Sequence, residues 1–132
     1  MTKPLWQYSA VDLQRGITGR DFSAREVVSS VTARMQSENP SLNAVVFDYT
    51  DQALAQADLV DERLAKGAAP RMLEGIPVTI KVNVDLTGTP TTNGLPVFAN
   101  NLAPGNSPIV QNLLNEGAII IGKTNTPELS MR

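Results

Sequence analysis

The chain contains no cysteine and no histidine. Without an imidazole base, Ser-His-Asp and Cys-His mechanisms are excluded. Without thiols there is no thiolate nucleophile and no disulfide. Nearly every zinc, copper or haem site that one chain builds for itself is excluded too. No apolar run approaches the ~20 residues that span a bilayer. The N-terminal stretch Met1-Thr2-Lys3-Pro4-Leu5-Trp6 lacks an apolar segment of signal-peptide length, so a cytoplasmic location is expected. The 13 acidic and 11 basic residues are spread along the chain and leave a net charge of −2. No basic cluster offers a surface that tracks phosphates, so nucleic acid is not expected as a partner, and without a spanning run neither is a membrane. Chemistry must come from lysine, carboxylate, hydroxyl or backbone groups, and no cofactor or metal is expected.

What is present fits one soluble domain. The 132 residues are 42% hydrophobic and 18% charged. Ser9 is placed to cap a short helix from Ala10 to Arg15, closed by Gly16. Ser23 and Glu26 form an S-x-x-E capping box. Val27, Val28, Val31 and Met35 then continue at helical spacing until Asn39-Pro40, which predicts the stop. Ala44-Val45-Val46-Phe47 reads as a strand. Thr50 or Asp51 is expected to cap a helix with buried positions Ala53, Ala57, Val60 and Leu64, ended by Gly67. Its charges Asp58, Asp61, Glu62 and Arg63 read as a solvated face. After a strand from Ile76 to Lys81, residues 83–106 form a long loop rich in Gly, Pro, Thr and Asn, and loops of this length are often functional. Ser107-Pro108 opens a further helix, and Gly117 ends it. The unbroken run Ala118-Ile119-Ile120-Ile121 suits a strand buried on both faces. Neighbours on both of its sides are expected from outside residues 1–132. Thr126-Pro127-Glu128 is expected to start one more helix. The alternation predicts an α/β fold: a helical N-terminal region (1–72), then β-α-β units of a mixed, largely parallel sheet (73–132).

One residue invites a chemical reading. In Leu73-Glu74-Gly75-Ile76-Pro77-Val78-Thr79-Ile80-Lys81-Val82-Asn83, a lysine ends a strongly apolar run. Strand alternation sends Ile76, Val78 and Ile80 one way and Pro77, Thr79 and Lys81 the other. Lys81 therefore reads either as a solvated edge-strand lysine that blocks aggregation or as a functional amine at the carboxyl end of a strand, where α/β sheets form their ligand crevices. A neutral lysine is a general base or an amine nucleophile.

Gly75 to Asn83 resembles the lysine segment of the amidase signature family. Pro90-Thr91-Thr92-Asn93-Gly94 falls where that family has a threonine-rich turn. The segment from Asn106 to Leu114 is similar to its next helix, and Gly117 to Glu128 to its next strand and loop. The four blocks cover residues 73–128 in order. One departure is Val82, where many members have aspartate directly after the lysine. The resemblance implies an amidase that cleaves a small carboxamide with a Ser–cisSer–Lys triad, with Lys81 as the lysine. It implies that both serines lie in a glycine- and serine-rich segment beyond Arg132.

Ser130 has no such context and reads as a polar residue on a helical turn; Ser9, Ser23 and Ser107 read as caps. Residues 1–132 are therefore expected to be the N-terminal part of one amidase domain, inactive alone. Association with another copy or with the complementary part is also expected. Three other readings stay open. One is the amidase subunit of a tRNA-dependent amidotransferase, against which Val82 and the lack of basic patches argue. Another is a non-catalytic remnant or binding module. The third is a Schiff-base enzyme that uses the same Lys81.

Overall fold

A computed structural model describes residues 3–131. In it a three-stranded mixed sheet carries helices on both faces. The elements run α1 (Ala10–Gly19), α2 (Ala24–Leu42), β1 (Val45–Asp48), α3 (Thr50–Ala65), β2 (Pro77–Lys81), α4 (Pro108–Asn115) and β3 (Ile119–Thr124).

Local signals place most of the helix starts. The Ser9 side chain accepts from Asp12 N at 3.1 Å. Ser23 and Glu26 close a full capping box, with Ser23 N donating to Glu26 Oε2 at 2.7 Å and Glu26 N to Ser23 Oγ at 3.0 Å. Ser107 caps α4, with Pro108 at its first position.

Three local expectations fail. Helix α1 runs through Gly16 and ends at Arg20, which adopts a left-handed φ of 61°. Gly16 instead makes room for the Phe22 ring, since a Cβ there would lie 2.1 Å from it. Helix α2 continues through Pro40 to Leu42. The proline sits in the last turn, where one helical bond is lost. The exit is secured by the Asn39 side chain, which donates to Val45 O and accepts from Val45 N, both at 2.8 Å. Neither Thr50 nor Asp51 caps α3, whose cap position is Tyr49. Asp48 does that work by accepting from Thr50 N at 2.8 Å.

The strand order is β1-β3-β2, with β2–β3 parallel and β1–β3 antiparallel. Both neighbours of the buried β3 therefore come from this chain, which corrects the expectation that they lie elsewhere. The N-terminal strand folds back to complete the pairing. Ile119 and Ile121 of β3 pack with Leu13, Ile17, Val27, Val28, Ala53, Ala57 and Val60 of α1–α3. Ile120 packs with Ile80, with Val110 and Leu113 of α4, and with Leu86 of the long loop. The continuous apolar run is thus covered from both faces.

Gly122 sits where β1 approaches closest. A Cβ there would lie 2.6 Å from the carbonyl oxygen of Phe47, a backbone atom that cannot swing aside. Gly122→Ala is expected to push β1 off β3 and cost about 1–3 kcal/mol, the usual range for overpacking. The urea midpoint of the variant measures this, and an unchanged midpoint would show that β1 is free to shift.

Candidate active site at the carboxyl ends of two strands

Lys81 is the last residue of β2 and pairs with Thr124, the last residue of β3. Its side chain is exposed, as are those of Thr79 on the same strand and Val46 on β1, while Ile80 is buried. No ion pair engages Lys81 among the described residues. The chain turns sharply after it: Val82 N donates to Thr124 O and Val84 N to Lys81 O, both at 2.9 Å. Val82 is 1% exposed, so an apolar side chain is buried at this position.

The loops that leave β2 and β3 meet at this end of the sheet. Asn83 Nδ2 donates to Ser130 Oγ at 3.1 Å, and Ser130 Oγ lies 2.9 Å from Thr126 Oγ1. The other amide atom of Asn83, Oδ1, is buried without a hydrogen-bond partner. Leu129 N donates to Asn93 O at 2.8 Å, which joins the turn after β3 to the threonine-rich turn. Gly94 makes that contact possible. Its φ is +73°, and a Cβ there would lie 2.9 Å from the carbonyl oxygens of both Thr126 and Pro127. The expected helix after Thr126 is only a 3₁₀ turn, Glu128–Ser130, broken by Leu129 at φ 51°. Ser130 is held by Asn83 and Thr126, and no hydrogen bond joins it to Lys81.

Two groups that sequence reasoning passed over stand out. Lys123 lies inside the block that resembles the family's strand and loop, yet nothing in the sequence reading assigned it a role. Its side chain is 0% exposed, and its Nζ donates to Pro90 O at 2.8 Å. Burial pushes the amine below its ordinary value, and the Asp85 carboxylate acts in the opposite sense. A cation ending the apolar run Ala118–Gly122 was the available signal, the same pattern that drew attention to Lys81. Glu74 is also 0% exposed, held by Arg71 and Arg63. Arg63 therefore does not belong to a solvated face. Asp61 does not either: its carboxylate accepts from Ala24 N at 2.7 Å and Arg25 N at 3.1 Å, so it caps α2 from the neighbouring helix.

A cleft of about 470 Å³ opens between α3 and the segment after α4, lined among others by Tyr49, Gln52, Leu86, Leu114 and Ile120. Lys81 does not line it. Among the described residues no group of three His, Cys, Asp or Glu side chains is arranged to hold a metal ion. No helix among them is long and apolar enough to cross a membrane.

Comparison with known proteins gives consistent matches. The family model described as Amidase matches residues 26–132. The indoleacetamide hydrolase of Bradyrhizobium diazoefficiens is 47% identical over 129 residues, 98% of this chain and 25% of that protein. A glutamyl-tRNA(Gln) amidotransferase subunit from Microcystis aeruginosa is 35% identical over 119 residues, 90% of this chain and 25% of the relative. Among solved structures, a bacterial aryl acylamidase of the amidase signature family superposes with a TM-score of 0.90 at 27% identity, covering 96% of this chain and 27% of its own. The chain thus spans about a quarter of the length of the proteins it matches.

Proposed function

Because the chain belongs to the amidase signature family, we propose that it supplies the lysine of an amide hydrolase, and that this lysine is Lys81. The observation that carries the proposal is the place of Lys81. It is an exposed amine without an ion-pair partner among the described residues, at the carboxyl end of a sheet strand beside the junction of two loops. Such a place suits a crevice of an α/β sheet.

In the proposed reaction neutral Lys81 takes a proton from a bridging serine. That serine takes the proton of a second, nucleophilic serine, whose oxygen attacks the carboxamide carbon. Negative charge gathers on the former carbonyl oxygen, where backbone N–H groups stabilise it. The C–N bond breaks, the nitrogen leaves with the transferred proton as ammonia or an amine, and an acyl-serine ester remains. Water attacks the ester along the same proton path in reverse, releasing the carboxylic acid and restoring the serine. Both serines lie outside residues 1–132 in this reading, so these residues alone hydrolyse no amide.

The similarity to an indoleacetamide hydrolase supports a small carboxamide as substrate. The similarity to an amidotransferase subunit supports a second reading, in which the ammonia released passes to a partner's reaction. Val82 and the even spread of charge favour the first. Ammonia release from indole-3-acetamide by the purified 14.2 kDa chain is the test of the missing serines. No release is expected, and turnover above background would show that the nucleophile lies within the 132 residues. A polypeptide containing these residues that hydrolyses amides only with an amidotransferase partner present would favour the second reading.

A further inference from the structure

We propose that Lys123 is a positioning residue for Lys81: its buried ammonium group ties the Pro90 turn to β3 and closes a ring of contacts around the exit of β2. The catalytic meaning of this role rests on the reading of Lys81 given above; the ring itself rests on geometry.

The ring can be followed atom by atom. Lys123 pairs with Ile80 across β2–β3, one position before Lys81 and Thr124. Its Nζ reaches Pro90 O at 2.8 Å. The next residue, Thr91, is 6% exposed and donates its hydroxyl to Asp85 Oδ1 at 2.6 Å. Thr91 N also donates to Asn101 O at 2.9 Å, which closes the long loop on itself. Two residues further, Asn93 O accepts from Leu129 N, and Ser130 beside it binds Asn83. Asn83 lies two residues beyond Lys81 on the same segment.

The path thus leaves the sheet at Lys123 and returns to it at Lys81. Every link is a hydrogen bond or a chain connection of three residues or fewer. A buried ammonium is costly unless it holds something, and what Lys123 holds is the turn that fixes the far side of this ring. Its other charged neighbour is Asp85, which sits on the segment between Lys81 and Pro90. That carboxylate accepts from the Thr91 hydroxyl, so it braces the turn that Lys123 holds at Pro90.

The test is amide hydrogen exchange of the full 132-residue chain carrying Lys123→Met, which keeps the volume and removes the donor. Exchange at Thr91 and Leu129 is expected to quicken about tenfold or more, the effect of losing one charge-assisted hydrogen bond from a local closure. Exchange at Ala53 and Ala57, in the core of α3, is expected to stay as it was. In the reductively ¹³C-methylated chain, the Lys81 resonance is expected to move while those of Lys3 and Lys66 do not. Unchanged exchange at Thr91 and Leu129 overturns the proposal. So does equal quickening at Ala53 and Ala57, which would make Lys123 a general core residue. Loop exchange that quickens while the Lys81 resonance stays put overturns the link to Lys81. Should Lys123→Met fail to fold, Thr91→Val removes the hydroxyl bond to Asp85 that braces the turn held by Lys123. It is then expected to quicken exchange at Leu129, and no change there is equally fatal. None of these readouts needs turnover, so they stand or fall separately from the assignment of Lys81 as the base.

Discussion

Lys81→Ala is expected to lower amide hydrolysis about 10²–10⁴-fold in any active preparation containing this chain, the range lost when a positioned general base is removed. Folding is expected to be unaffected within about 0.5 kcal/mol, because the side chain is exposed and makes no ion pair among the described residues. The substitution decides between the two roles that alternation along β2 leaves open. If Lys81 only guards an edge strand, its loss leaves the rate unchanged and promotes self-association, since β2 has one unpaired edge among the described residues. If it is the base, the rate collapses without loss of fold. Lys81→Arg sharpens the test. It keeps the positive charge and so satisfies the edge role, but a guanidinium does not give up its proton in proteins and cannot act as base. An Arg variant with full activity would remove Lys81 from the mechanism. Steady-state rates, with the urea midpoint measured alongside, give both answers.

The fold was legible where its causes are local. Ser23 and Glu26 are three residues apart, and their mutual bonds need nothing beyond one helical turn. Ser107-Pro108 is of the same kind. The errors arise where a distant group changes what a residue does. Gly16 looked like a terminator, but it is the seat of the Phe22 ring. Asp61 looked solvated because the helix end that it caps is 37 residues away. The run Ala118–Ile121 announced a doubly covered strand, yet nothing in its composition says that one neighbour would be β1 in the opposite direction.

The same division runs through the site. Period-two alternation set Thr79 and Lys81 outward and Ile80 inward, and their burial follows it. The partners that build the surroundings of Lys81 are not spaced by any period. Asn83 and Ser130 lie 47 residues apart, and Lys123 and Pro90 lie 33 apart. Their pairing depends on the parallel register that sets Lys81 beside Thr124, which is a property of the sheet. Ser130 reads in sequence as a polar residue on a turn, and its part as the bond between two loops emerges only from the packing of those loops.

Glu74→Leu is expected to destabilise the chain by about 3 kcal/mol, the lower end of the cost of breaking a buried ion pair. The lower end applies because both arginine side chains keep about a third or more of their surface, 34% for Arg63 and 40% for Arg71, so water recovers part of the loss. Glu74 Oε2 accepts from Arg71 N at 2.9 Å and Arg71 Nε at 3.0 Å, and it also pairs with Arg63; Oε1 accepts from Arg71 Nη2 at 2.9 Å. The carboxylate therefore joins the end of α3 to the turn that leads into β2. Replacing all three by apolar residues, Arg63→Met, Arg71→Met and Glu74→Leu together, is expected to recover most of the loss, because no unpaired charge remains. A triple variant no better than Glu74→Leu would show that the cluster acts through its geometry rather than its charge. Acid provides an independent check. Burial raises the Glu74 carboxyl, but the Arg71 hydrogen bonds and the charges of Arg71 and Arg63 outweigh it and hold the group below its ordinary 4.5. The folded chain then binds this proton more weakly than the unfolded chain does. The stabilisation is complete above about pH 4.5 and fades as pH falls through the lowered value. Glu74→Gln removes the titrating group, so its urea midpoint is expected to fall less steeply below pH 4.5 than that of the unaltered chain. Glu26 and Asp48 are also held low and lose stabilisation in the same range in both chains, so the difference between the two slopes isolates Glu74.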